Sequence, residues 1–201
     1  MPKIFIIMGK SASGKDTIYK KLLNNKDLNL KTVVMYTTRP KRDFETDGVE
    51  YNFVDEEKFE ELKRQNKIIE HRAYNTVHGI WRYFTVNDGQ IDLDNYNYLM
   101  LGTLQSYRQL REYFGHGKVV PIYIEVEDGI RLMRALLREQ KQENPKYAEL
   151  CRRFLADCED FSEENLAAYG IKKRYQNIDI DKCVQEITSD IKYYLDNRDG
   201  I

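Results

Sequence analysis

The sequence predicts an α/β fold in which a parallel sheet is flanked by helices. Three observations carry that reading. Apolar runs rich in β-branched residues alternate with helical segments, and the first such pair is joined by a glycine-bearing loop. No repeat, low-complexity tract or Pro/Gly-rich linker divides the 201 residues, a length that suits one domain with small insertions. Strand–loop–helix units in succession favour parallel strands with helices packed on the faces.

Taken in order, "KIFIIM" is the first strand and "KDTIYKKLL" the helix that follows it. "KTVVMY" reads as a second strand. "DEEKFEELKRQ" is a helix with Asp55 as its N-cap. "NYLML" is a shorter strand, and "TLQSYRQLREYF" a helix capped by Thr103. "KVVPIYIEV" is a further strand. Val184, Ile187, Ile191 and Leu195 recur at spacings of three and four, giving a last helix with one apolar face. Two stretches break the rhythm. Residues 36–86 hold short strand-like pieces ("VEYNFV", "KIIEHRAY", "GIWRYFTV") around one helix, as in an inserted subdomain. Residues 129–165 are helical and arginine-bearing, as in a lid. The expected division is a core of 1–35, 87–128 and 166–201, with 36–86 and 129–165 as covers.

Lys+Arg is 32 against Asp+Glu 33, for a net charge of −1, so nothing draws the whole chain toward nucleic acid or an acidic membrane. "KIFIIMG" is far shorter than the roughly 20 apolar residues of a membrane span and lacks a signal-peptide cleavage pattern. Cys151, Cys158 and Cys183 are odd in number and have no C-x-x-C spacing, so neither a disulfide framework nor a zinc site is expected. A cytoplasmic, reducing location follows.

The loop "GKSASGKDT" nearly completes the phosphate-binding pattern G-x-x-x-x-G-K-[ST]. Gly9, Lys10, Ser11, Ala12, Ser13, Gly14, Lys15, Asp16 and Thr17 would surround the phosphates of ATP, between a strand and a helix N-terminus whose amides converge on anionic oxygen. Lys15 supplies a cation to the terminal phosphates. Asp16 stands where a hydroxyl normally meets Mg²⁺. A carboxylate is a stronger ligand for that hard cation, and it also suits the first helical turn electrostatically. A metal ligand and a structural carboxylate are thus both open readings.

A second anion site is written in "YTTRPKRDFETDGVEYNF". Arg39 and Arg42 flank Pro40-Lys41, and Tyr51 follows an Asp47-Gly48 turn. Planar guanidinium donors and a phenol suit a phosphate.

The loop, "TTRPKR", "DGVEYNFVDEEKF" and "IIEHRAYN" together resemble the corresponding segments of guanylate kinases, and the resemblance continues through "CRRF" and "QNIDIDKC". It implies a nucleoside-monophosphate kinase with a core, a monophosphate-binding subdomain and a lid, using ATP and Mg²⁺ on GMP, with no nucleic-acid or membrane partner. It implies that Arg39, Arg42 and Tyr51 hold the acceptor phosphate and that Glu70 accepts from the guanine Watson–Crick edge. Arg134, Arg138 and Arg153 resemble lid arginines of the transfer step, and Asn177 a residue near the adenine. There are departures. Met35 replaces a hydroxyl near guanine O6, while His78 and Ile80 replace a tyrosine and a small hydroxyl; His78 remains a donor for a phosphate. "LMLGTLQS" keeps Gln105 without the usual preceding acids. Two alternatives therefore stand beside the GMP kinase: a kinase for another phosphorylated acceptor, and an inactive binding module of the same fold.

Overall fold

The computed structural model describes residues 1–76 and 79–196; His78 and the tail after Asp196 lie outside them. Strand β1 (Ile4–Met8) has all five side chains fully buried, the signature of a strand covered on both faces. Its alternation sorts two cores. Ile4, Ile6 and Met8 pack with Tyr98, Met100, Leu104 and Tyr107. Phe5 and Ile7 pack on the opposite face with Ile18, Leu22, Ile187 and Ile191.

Helix α1 (Lys15–Leu23) follows directly, and β2 (Leu30–Thr32) comes after a 3₁₀ turn at Lys26–Leu28. The expected strand "KTVVMY" is broken in two: β2 joins the parallel sheet and β3 (Tyr36–Thr37) joins another. Gln90 explains the break. Its side chain accepts from Val34 N–H at 2.8 Å and donates to Val34 C=O at 3.2 Å, standing in for a neighbouring strand.

The second sheet has the order β4-β3-β6-β5, with β4 at Asn52–Phe53, β5 at Ile68–Thr76 and β6 at Gly79–Val86. Helix α2 (Glu56–Arg64) closes it with Phe59 and Leu62 against Phe84 and Val86. Asp55 caps α2 as expected, accepting from Lys58 N–H at 2.8 Å.

Strand β7 (Asn97–Leu101), α3 (Leu104–Phe114) and β8 (Val119–Glu125) return the chain to the first sheet. Thr103 caps α3 in a reciprocal box with Ser106. Three helices follow: α4 (Asp128–Glu139), α5 (Tyr147–Asp160) and α6 (Glu163–Ala168). β9 (Arg174–Gln176) and α7 (Ile180–Asp196) complete the chain. The first sheet is parallel throughout, in the order β2-β7-β1-β8-β9. β9 was not expected from sequence. Pro121 is tolerated in β8 because β9 pairs only from Tyr123 onward, so Pro121 has β1 alone as its neighbour.

Candidate functional site

The carboxyl end of β1 turns into a loop that curls over the N-terminus of α1. Gly9 leaves β1 where a Cβ would come within 2.6 Å of Ile124 O. Gly14 adopts φ 86° as the N-cap of α1, a left-handed conformation that favours glycine. Asn177, 3% exposed, donates from Nδ2 to Ser13 O at 2.7 Å. Its amide therefore braces the loop main chain. Lys15 and the exposed Asp16 and Thr17 open the helix. Lys15 Nζ stands 3.9 Å from Asp16 Oδ2.

Three side chains from α4 and α5 converge on Ser11. Asp157 Oδ2 accepts from its N–H at 2.7 Å, Arg153 Nη2 donates to its Oγ at 3.1 Å, and Arg131 Nη1 donates to its C=O at 3.3 Å. Arg131, 1% exposed, also binds Asp128 and Asp157 and lies over the Phe154 ring at 4.1 Å. Lys10 Nζ reaches Asp128 at 3.2 Å. Arg134 donates to Asn177 O at 3.0 Å, whereas Arg138 is exposed one turn on. Of the three expected lid arginines, Arg153 and Arg134 thus meet the loop or its buttress. The sequence reading missed Arg131 and Asp157. Arg131 was visible as a third arginine at i−3 from Arg134; nothing in sequence marked Asp157.

In the second sheet Arg39 is buried and bound at both ends. Its Nη1 and Nη2 donate to Glu45 at 2.9 and 2.7 Å, and Nε to Tyr83 Oη at 3.2 Å. Tyr51 and Phe53 flank the guanidinium at 5.7 and 5.5 Å. Hydrogen bonds from Arg39 hold the Glu45 carboxyl below its ordinary pKa. Arg42 is not the second prong of a fork. Its side chain is exposed and its backbone N–H donates to Glu45 Oε2 at 2.8 Å. The Asp47-Gly48 turn forms, with Gly48 at φ 78°, and half-buried Tyr51 has its phenol pKa raised by burial.

Glu70 differs from the expected open acceptor. It is 1% exposed and receives Arg72 Nε at 3.1 Å, Arg72 Nη2 at 3.3 Å and Thr85 Oγ1 at 2.9 Å. Arg72 Nη2 also lies 3.4 Å from Met35 Sδ. Sequence reasoning missed Arg72, although period-two alternation sets it on the face of β5 that carries Glu70.

A cleft of about 330 Å³ is lined by Tyr74, Thr103, Gln105, Arg108 and Asp160. Burial pushes the Asp160 carboxyl pKa up. Among the described residues no three His, Cys, Asp or Glu are grouped to hold a metal ion, and no helix is long and apolar enough to cross a membrane.

A phosphate loop on a parallel sheet, joined in one chain to a second sheet that carries arginines and to helices that reach the loop, defines a P-loop protein of the nucleoside-monophosphate kinase type. The family model described as guanylate kinase matches residues 1–189. The chain is 31% identical to the guanylate kinase of Wolbachia pipientis over 92% of its own length and 87% of that relative's. With the guanylate kinase of Malacoplasma penetrans the match is 32% over 68% of this chain and 58% of that relative. The crystal structure of guanylate kinase from Anaplasma phagocytophilum superposes with a TM-score of 0.65 at 25% identity, covering 96% of this chain and 85% of the other. The chain belongs to the guanylate kinase family.

Proposed function

We propose that this chain transfers the terminal phosphoryl group of ATP to a nucleoside monophosphate, with GMP as the acceptor. One observation supports this most strongly. The loop amide of Ser11 already holds an anionic oxygen, that of Asp157, with the cations Arg131 and Arg153 beside it. In this reading the phosphates of ATP displace that carboxylate, drawn by loop amides, the α1 N-terminus and Lys15. Phosphoryl transfer asks mainly for in-line placement and neutralised equatorial oxygens. Arg39, Tyr51 and Arg42 would hold the acceptor phosphate, while Arg134, Arg138 and Arg153 would meet the developing charge under a closed lid that excludes water. His78 would assist at the acceptor phosphate. The working units are the core of 1–35, 87–128 and 166–201, the acceptor subdomain 36–86 and the lid 129–165.

Mg²⁺ fits the donor chemistry: Asp16 offers a hard, exposed oxygen at the loop's end, and this ion usually takes one or two protein carboxylates plus substrate phosphates. When bound it would supply charge neutralisation at the β- and γ-phosphates. Free thiols at Cys151, Cys158 and Cys183 accord with a cytoplasmic site of action.

The test is a coupled ADP-release assay across a panel of nucleoside monophosphates, run as a Mg²⁺ titration. Preference for GMP is expected, with the half-saturating Mg²⁺ concentration raised by Asp16→Ser. Turnover of a different acceptor would replace GMP in this reading, no turnover with any would make the chain a binding module, and an unmoved Mg²⁺ dependence would make Asp16 structural.

A further inference from the structure

We propose that Arg72 determines base specificity in the acceptor pocket, donating guanidinium N–H groups to the 6-oxo acceptor of a purine; this deepens the kinase reading and rests on it. The Glu70 side chain is 0% exposed, whereas that of Arg72 is 8% exposed. Three donors already occupy the Glu70 carboxylate: Arg72 Nε, Arg72 Nη2 and Thr85 Oγ1. A carboxylate has about four acceptor sites, so little capacity is left for a base edge, and Arg72 lies over it. The carboxylate acts through the arginine, fixing the plane and heading of its guanidinium as a bidentate partner does.

Arg72 Nη2 is directed at Met35 Sδ, 3.4 Å away. A thioether is a weak acceptor, so this N–H is spent on a poor partner and is available to a better one. Met35 is also the position where the family resemblance leads one to expect a hydroxyl that reads O6. The donor missing from that side chain is thus supplied from β5 at the same spot. Tyr51 and Tyr74 lie close enough to interact electrostatically with Arg72, which places it beside Tyr51, a residue of the proposed phosphate site. Arginine pairs well with the O6 and N7 acceptors of a 6-oxopurine; adenine sets an amino donor in place of O6 and loses that contact.

The experiment measures kcat and KM for GMP, IMP and AMP with the wild-type chain and with Arg72→Ala. GMP and IMP both carry O6 and differ only in the 2-amino group. The expected result is a KM for GMP and for IMP raised by the same factor, about 10- to 100-fold for a lost charged hydrogen bond, with the KM for AMP changed less than about threefold. A loss confined to GMP would assign recognition to the 2-amino group and overturn the proposal. An equal loss for AMP would make Arg72 a phosphate ligand or a structural residue and overturn it too, as would unchanged constants for all three. Failure of wild type to turn over any monophosphate would instead remove the kinase reading itself. Because Arg72→Ala leaves Glu70 buried without its partner, the double variant Glu70→Gln with Arg72→Met, checked by thermal unfolding, carries the same test if the single variant does not fold.

Discussion

At the phosphate loop the anion-holding groups are main-chain amides, and the carboxylate that occupies one of them comes from Asp157, 146 residues further along the chain. In the second sheet they are guanidinium groups, and their carboxylates come from six residues away for Arg39 and two for Arg72. The difference has a consequence for motion. Glu45 and Glu70 lie in the same stretch, 36–86, as the arginines they hold, so contacts local to that stretch orient those arginines. Asp157 lies on α5, so in the proposed reading what the loop binds depends on where the segment 129–165 lies. In the proposed reading, the acceptor pocket is therefore built before its ligand arrives, and the donor loop holds a stand-in that the phosphates of ATP displace.

The largest expected effect falls on the prebuilt side. Glu45→Ala leaves the buried Arg39 without its counter-ion, a loss of about 3–5 kcal/mol for a broken buried pair, read by urea unfolding. The same pair carries a pH signature. The folded Glu45 carboxyl lies below its ordinary value of 4.5, so its contribution is present above that pH and lost as pH falls through the folded value. Glu45→Gln should flatten the stability curve in that acid window; an unaltered acid limb would place the pH dependence elsewhere.

On the donor side, Lys15→Ala should lower kcat/KM on the order of 10²- to 10³-fold, as for removal of one transition-state donor, with unfolding unchanged. Comparable turnover by the variant would show that the loop amides suffice alone. The smallest effect sharpens the contrast most. Asp157→Asn weakens the stand-in at Ser11 and should tighten ATP binding up to about tenfold, the scale of one charge-assisted hydrogen bond. Isothermal titration reads it, with GMP affinity as the control that must not change. Weaker ATP binding would mean that Asp157 organises the loop rather than competing for it.

Much of this was legible in the chain. β1 announces itself through five consecutive apolar residues, and α2 and α3 through the capping side chains of Asp55 and Thr103, because these signals are local. β9 was not, since its three residues carry a single buried side chain, Tyr175. The break in "KTVVMY" depends on Gln90, 56 residues away from Val34. In the site, Gly9, Gly14 and Lys15 were readable because the loop motif is contiguous. The burial of Glu70 behind Arg72, the structural task of Asn177 and the clasp of Asp157 on Ser11 were not, because each is fixed by tertiary packing rather than by spacing.

The most direct measurement is a crystal structure with two nucleosides joined through a polyphosphate bridge, spanning donor and acceptor sites at once. The account predicts the donor end on the amides of residues 11–16 with Lys15 on its terminal phosphates, Asp157 displaced from Ser11, and the acceptor phosphate against Arg39 and Tyr51. A bridge bound with Asp157 still on Ser11 and its acceptor end away from Arg39 would contradict it.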